Sequence, residues 1–184
     1  MDTTGNALDR LRELWIQNND LESFAGLEGS SKLELVYAGD NDLQDISALN
    51  DASKLVYLYL WDNELEDADL NGLVADSGGP LDLIVINVDS NSVESIGFLA
   101  SLPDIQQATF YNNRITSLVG VETLSDLSYL NLDRNRITDL TPIVSNANFA
   151  SGDTLILWSN DFTCAATDAQ VATLHGRGVN VEGY

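Results

Sequence analysis

The 184-residue sequence predicts an α/β protein built as a right-handed repeat solenoid, with a parallel β-sheet on the concave face and short 3-10 or extended turns on the convex face. Two observations predict this class. An asparagine recurs at regular spacing, and a short segment of alternating apolar and polar residues precedes each asparagine. Such a segment forms a strand that buries one side only. Stacking these strands in parallel buries a continuous core that no single unit could bury alone.

The recurring asparagines define seven units, separated by 22, 22, 28, 22, 22 and 25 residues. These asparagines are Asn19, Asn41, Asn63, Asn91, Asn113, Asn135 and Asn160. Apolar residues keep the same register around each of them, as in Leu55, Leu58 and Leu60 before Asn63. The turn after each strand leaves backbone groups inside the stack without water. Because an amide side chain both donates and accepts, we expect the seven asparagines to form a structural ladder.

The unit pattern, L-x-x-L-x-L-x-x-N-x-L-x-x-I-x-x-L, resembles the leucine-rich repeat signature. Its 22-residue length and isoleucine-rich second half are similar to bacterial internalin-type repeats, over roughly Leu11 to Phe162. The resemblance implies a module that binds a protein or peptide, in a secreted or cell-surface bacterial protein. We expect a single domain over residues 1–184, with an N-terminal cap or truncated repeat at 1–10, seven repeats at 11–162 and a C-terminal helix–strand cap at 163–184.

Two segments outside the regular pattern predict helices. Six extra residues in the third unit accommodate a short convex helix over Asp67–Ala75, which the Gly78-Gly79-Pro80 sequence would stop. Near the C-terminus, Thr167 and Gln170 have the spacing of a capping box that opens a helix. That helix would end at Gly176, and the alternation in Val179-Asn180-Val181 predicts a last strand.

The aromatic residues are sorted among the strand positions. Strand residues that flank the two central apolar positions are expected to point outward onto the concave face. All three tryptophans and five of the six tyrosines occupy these positions, whereas no phenylalanine does. Tyrosine and tryptophan suit a surface that is wet when free and dry when bound, and they are enriched at interaction hot spots. The alternative is that these rings only stabilise adjacent strands by stacking.

The candidate partner-binding residues form two groups. The denser group is in the first three units and comprises Trp15, Tyr37, Tyr57, Tyr59 and Trp61, bordered by Asp40 and Asp62. The later, more polar group comprises Asp89, Tyr111, Tyr129 and Asp133 together with Arg134, and Trp158 lies in the seventh unit. An aromatic centre with an acidic border suits a partner segment that carries lysine or arginine and some apolar surface.

The charge balance limits the class of partner. The sequence has 29 acidic and 8 basic residues, for a net charge of −21. The electrostatic field of this negative charge repels nucleic acid and anionic membranes. It is compatible either with a solvated acidic surface that keeps the protein dispersed or with attraction of a basic partner. No apolar run is long enough to span a membrane, and Met1 to Asn6 contain no signal-peptide pattern.

Three other functions are alternatives to protein binding. Tyrosine and tryptophan faces also stack on sugar rings, so carbohydrate binding is the main alternative. The acidic turns at Asp40–Asp42 and Asp62–Glu64 could offer oxygen ligands to calcium, although no EF-hand spacing is present. An enzyme is disfavoured because the chain has one histidine, His175, and one cysteine, Cys164, with no catalytic set around either. We therefore expect no catalytic residues, no cofactor and no dedicated metal site.

Overall fold

The computed structural model describes residues 7–75 and 82–184. In this part of the chain eight short parallel strands form one open sheet, and the order of the strands in the sheet is their order in the chain. The strands are β1 Glu13–Trp15, β2 Leu35–Tyr37, β3 Tyr57–Tyr59, β4 Val85–Asn87, β5 Gln107–Thr109, β6 Tyr129–Asn131, β7 Thr154–Ile156 and β8 Asn180–Glu182. The predicted parallel-sheet solenoid is confirmed.

Each strand pairs with the next at the same repeat position, which aligns the side chains into columns. The middle residues form one column: Leu14, Val36, Leu58, Ile86, Ala108, Leu130, Leu155 and Val181. From Val36 to Leu155 this column is fully buried, and the residues on either side of it are partly or fully exposed. Because side chains alternate along a strand, the column faces the core and its flanks form the opposite, concave face.

The convex side consists mainly of single helical turns. Residues Ser47–Asp51, Gly97–Ser101 and Val121–Thr123 form 3-10 helices, as do Ala7–Arg10 before β1. The insertion in the third unit forms α1, Asp67–Ala75, which has the predicted bounds. Leu70 and Leu73 of α1 are fully buried in the core. The Gly78-Gly79-Pro80 sequence, which was expected to stop this helix, lies outside the described residues.

A further short helix, α2 Thr141–Ser145, occupies the convex side of the sixth unit. The sequence did not single it out, although Pro142 at the start of the helix is a common initiating residue. The helix is followed by Asn146, whose side chain is almost fully buried.

The C-terminal helix begins earlier than the sequence predicted. Helix α3 spans Cys164–Gly176 and follows Thr163, so the proposed capping box at Thr167 is wrong. Thr167 lies inside the helix, fully buried, and its hydroxyl donates to the Thr163 carbonyl. Gln170 does not turn back to the helix start. Its amide donates to Asp139 and accepts from the Leu140 backbone, which ties α3 to the sixth unit.

In the described ranges, 7–75 and 82–184, the longest helix is α3, and no helix combines the length and apolar character needed to cross a membrane.

Candidate binding face

The repeat asparagines form a hydrogen-bonded ladder between coils. Asn135 is representative: its Nδ2 donates to the Phe110 carbonyl of the preceding coil at 2.8 Å, and its Oδ1 accepts from the Ile115 backbone N–H at 2.9 Å. The same two contacts with the preceding coil recur at Asn41, Asn63, Asn91, Asn113 and Asn160. Each amide therefore satisfies one donor and one acceptor of the coil before it, which gives the strands a fixed spacing beneath the concave face.

Asn19 differs from the other asparagines because no described coil precedes it. Its Nδ2 donates only within its own turn, to the carbonyls of Ile16 and Gln17, and its side chain is exposed. Asn41, Asn113 and Asn135 are buried. The ladder is therefore strongest inside the stack.

The residue before each ladder asparagine has a left-handed backbone. These residues are Asn18, Asp40, Asp62, Ser90, Asn112, Arg134 and Ser159, with φ between 49° and 60°. Asparagine and aspartate tolerate this region better than most other L-residues. The structure thus supplies a backbone reason for Asp40 and Asp62, and their acidity alone is weak support for a binding or calcium-holding role.

Four rings from the first three units contact one another, and we name them the aromatic cluster: Trp15, Tyr37, Tyr59 and Trp61. Trp15 stacks on Tyr37, with ring centroids 4.7 Å apart and an interplanar angle of 16°. Tyr37 also contacts Tyr59 at 4.3 Å and the edge of Trp61 at 5.0 Å. Trp15 nonetheless keeps 56% of its surface exposed. The cluster is therefore held in place by its own ring contacts and still presents an aromatic surface to solvent.

Gly39 makes room for this cluster. A Cβ placed on Gly39 would lie about 2.0 Å from Cε2 of the Trp61 indole. Gly39 does not have a positive φ, so the backbone itself does not require glycine there. The missing side chain leaves space that the Trp61 indole of the next coil occupies. Sequence reasoning did not single out Gly39, although it is the only glycine among the outward-facing strand positions.

Two predicted aromatic residues lie apart from the cluster. Tyr57 is 40% exposed and makes no ring contact with the other four rings in the described part of the chain. Burial raises the pKa of the Tyr59 phenol, and the nearby phenols of Tyr37 and Tyr57 add smaller contributions. Trp158, in the seventh unit, is 56% exposed and packs near Gly183.

The middle units carry polar side chains in place of this cluster. Asp89 accepts from the Tyr111 backbone N–H at 2.7 Å through Oδ1 and from Asn87 Nδ2 at 3.1 Å through Oδ2. Burial raises the pKa of the Asp89 carboxyl in spite of these hydrogen bonds, and the nearby Asp62 raises it further. Asp89 is therefore a partly desolvated acid at the centre of the concave face, where a cationic group would stabilise its charged form.

Asp133 and Tyr129 continue this polar region. Oδ1 of Asp133 is buried and has no hydrogen-bond partner among the described residues. Burial raises the pKa of the Tyr129 phenol, and the carboxylates of Asp89 and Glu182 add to the shift. The Arg134 guanidinium lies 5.5 Å from the centroid of the Tyr111 ring. We name Asp89, Tyr111, Tyr129 and Asp133 the polar patch.

Metal-ligand geometry is not part of either region. Among the residues whose side chains the structure describes, which leave out 1–7, 9, 75–81 and 164–166, no group of three or more histidine, cysteine, aspartate or glutamate residues could hold an ion. Asp40 and Asp62 follow the backbone requirement given above instead.

Asn146 is a further structural residue that sequence reasoning missed. Its amide donates to the Val121 and Leu124 carbonyls at 2.9 and 2.7 Å, and its Oδ1 accepts from the Asn148 and Phe149 backbone. Asn146 thus satisfies backbone groups on the convex side, as the ladder asparagines satisfy backbone groups after the strands. Asn146 lies outside the repeat register, and the neighbouring Ser145 and Asn148 make it look like one residue of a polar loop.

Comparisons with known proteins agree with this architecture. The structure is similar to internalin C2 from Listeria monocytogenes, with a TM-score of 0.63 and 23% identity over 95% of this chain and 82% of that one. It is also similar to a leucine-rich repeat protein from Leptospira interrogans, with a TM-score of 0.69 and 18% identity over 94% of this chain and 48% of that one. No family model and no curated protein sequence matches the chain.

The parallel sheet, the asparagine ladder between coils and these structural similarities lead to one conclusion. The chain has the leucine-rich repeat fold, in the form found in internalins.

Proposed function

We propose that this protein is a binding module that holds a protein or peptide partner on its concave face and catalyses no reaction. The observation that carries the proposal is the aromatic cluster, in which Trp15 is stacked on Tyr37 and still 56% exposed. Leaving such a surface in water is unfavourable, whereas covering it with an apolar partner is favourable. Because ring contacts already hold the cluster in place, its side chains lose little conformational freedom on binding.

The polar patch defines the chemistry of the rest of the partner. Asp89 is partly desolvated and lies half-buried on the concave face. A lysine or arginine of the partner would supply both a positive charge and hydrogen-bond donors at this place. The partner segment that fits best is thus apolar over the first three units and basic over the units that follow.

The structural neighbours support the same proposal at a coarser level. An internalin from Listeria and a leucine-rich repeat protein from Leptospira are bacterial proteins that share this fold. We propose on this basis that the protein is secreted by, or exposed on the surface of, a bacterium. The absence of a Ser-His-Asp set or a phosphate-binding loop in the sequence supports a role without catalysis.

The test begins with peptides selected on the wild-type protein from a random displayed library. Their affinity is then measured for the Tyr59→Ala, Trp61→Ala double variant and for the control Val119→Ala. Val119 is an apolar residue that is 62% exposed and lies in the second half of its unit, outside the strands. We expect the double variant to lose most of the affinity and the control to keep it.

Circular dichroism must show that the double variant stays folded. Equal binding by the wild type and the folded double variant would refute the proposal. Affinity capture of cellular partners with the same three proteins gives a second readout. Recovery of oligosaccharides instead of peptides from a glycan array would favour the carbohydrate alternative.

A further inference from the structure

The basic residues of this acidic chain are unevenly distributed. Four of the eight, Arg10, Arg12, Lys32 and Lys54, precede the strands of the first three units. In the next three units the positions equivalent to Arg10, Lys32 and Lys54 are acidic: Asp82, Asp104 and Asp126. Because the strands pair in register, these residues form one column along the edge where the chain enters the sheet. The edge is positive beside the aromatic cluster and negative beyond it.

The positive part of this edge encloses a groove. An open groove of about 410 Å³ is lined by Arg12, Ser31, Lys32, Glu34, Ser53 and Lys54. Successive coils place equivalent residues about 4.8 Å apart, so Lys32 and Lys54 bring two positive charges close together. Each lysine follows a serine in the sequence, and both hydroxyl-bearing residues line the groove.

The cations in the groove are only partly neutralised. Arg12 is paired with Glu34, and Lys54 with Asp82 at 2.8 Å, but the side chains of Arg12 and Lys54 both remain 63% exposed. Lys32 forms no ion pair with any residue in 7–75 or 82–184. Exposed pairs of this kind are weak. An additional carboxylate placed between Lys32 and Lys54 would relieve their mutual repulsion.

We infer that this groove, the cationic edge, binds carboxylate side chains of an acidic segment in a protein partner. The inference rests on the proposed function in taking the partner to be a protein. The edge adjoins β1, β2 and β3, whose outward side chains include members of the aromatic cluster. A bound partner would therefore have acidic residues at this edge and basic residues at the polar patch. Such a charge order would fix the direction in which the partner lies on the sheet.

The overall charge of −21 favours this occupant over other anions. A densely charged polyanion would be repelled by the rest of the molecule, and so would a second copy carrying the same net charge. A short segment with two or three carboxylates matches the number of cations in the groove. Because it carries few charges, the net negative charge of the protein repels it less.

The experiment uses a fluorescein-labelled peptide with three glutamates among neutral residues as the probe. Its binding is followed by fluorescence anisotropy in 50 mM and 300 mM NaCl. The Lys32→Ala, Lys54→Ala double variant is compared with the wild type and with an Arg114→Ala, Arg136→Ala double variant. The control removes the same charge from exposed positions outside the groove.

We expect the edge variant to bind the probe roughly 5-fold to 30-fold more weakly than the wild type at low salt, from the loss of two exposed charge pairs. The control should stay within about twofold, and high salt should reduce the difference. Absence of probe binding to the wild type, or an equal loss in the control, would overturn the inference. So would tighter binding of heparin at the same residues, or a concentration-dependent doubling of mass.

A fourth protein separates this inference from the proposed function. The Tyr59→Ala, Trp61→Ala variant should bind the glutamate peptide as well as the wild type does. If that variant keeps its selected partners while the edge variant loses the probe, the proposed function fails and the anionic site stands. If the aromatic variant loses its selected partners while the edge variant still binds the probe, the proposed function stands and the anionic site fails.

Discussion

The concave face combines two regions on one scaffold. In the first three units Trp15, Tyr37, Tyr59 and Trp61 make ring contacts with one another, whereas the next three units carry Asp89, Tyr111, Tyr129 and Asp133. The strands beneath both regions pair in the same register, and the asparagine ladder is continuous through both. The difference therefore lies only in outward side chains. A repeat scaffold of this kind keeps the geometry constant while neighbouring coils supply different chemistry.

The first prediction, with the largest expected effect, concerns the energy of binding in each region. Trp61→Ala should weaken binding of a peptide selected on the wild type by about 2 kcal/mol or more, because it removes a well-packed aromatic anchor. Tyr111→Ala should cost less than about 1 kcal/mol, because polar contacts near water contribute less. Isothermal titration calorimetry measures both. A larger loss for Tyr111→Ala would reverse the assignment of the two regions.

The second prediction tests whether the scaffold is the same beneath both regions. Asn63→Ala and Asn113→Ala should each lower the free energy of unfolding by about 1–3 kcal/mol, because each leaves backbone groups of the preceding coil unpaired. Asn19→Ala is the matched control, since the Asn19 amide bonds only within its own turn. Its cost should be below about 0.5 kcal/mol. Urea unfolding that showed equal losses for all three variants would contradict the ladder.

The third prediction concerns the space that Gly39 provides for the aromatic cluster. Gly39→Ala should lower the free energy of unfolding by about 1–3 kcal/mol, because the new methyl group would overlap the Trp61 indole. It should also weaken binding of selected peptides and shift the tryptophan fluorescence. In the control Gly72→Ala, no described atom beyond the helix's own backbone lies within 4 Å of the added Cβ. That change should stabilise the protein by up to about 1 kcal/mol. A neutral Gly39→Ala with unchanged fluorescence would mean that the indole is not confined there.

The fourth prediction, with the smallest expected effect, addresses Asp89, the half-buried acid of the polar patch. Burial raises the pKa of Asp89 above its usual 3.8, so the folded state retains this proton to higher pH than the unfolded chain does. The stability of the wild type relative to Asp89→Asn should therefore fall as pH rises above about 3.8, and then level off once Asp89 is ionised in the folded state. The total change should be less than about 1 kcal/mol, because solvent screens a partly exposed group. Urea unfolding between pH 3 and 7 measures the difference. A rise in relative stability with pH would show that Asp89 is stabilised by its hydrogen bonds instead.

The fold was predictable because the period determines it. The spacing from Asn41 to Asn63 is that of one coil, and the alternation around Leu58 places the strand within that coil. The helix over Asp67–Ala75 was predicted with its observed bounds, because the insertion and its apolar residues occupy a place where the repeat leaves room. The start of α3 was not, because the Thr167–Gln170 spacing also arises when a helix is already under way and its side chains contact another unit.

The sequence predicted which positions of the candidate site face outward, but not which of their side chains contact one another. Sequence position places Tyr57 and Tyr59 on the same face, but ring orientation decides that Tyr59 joins the cluster and that Tyr57 does not. Orientation depends on contacts between coils, and Gly39 acquires its role only from the ring of Trp61 in the next coil. Likewise, the acidity of Asp62 suggested a binding border, whereas its left-handed backbone provides a local reason for that residue.

The overlap between a Cβ at position 39 and the indole of residue 61 has a consequence for how the two positions can diverge. Among descendants of this sequence, a side chain at 39 and a bulky ring at 61 would compete for the same space. A lineage that acquires a side chain at 39 would therefore regain stability by replacing the indole with something smaller. Two sites 22 residues apart are thereby expected to covary, and a change of binding preference in this protein should proceed through paired replacements.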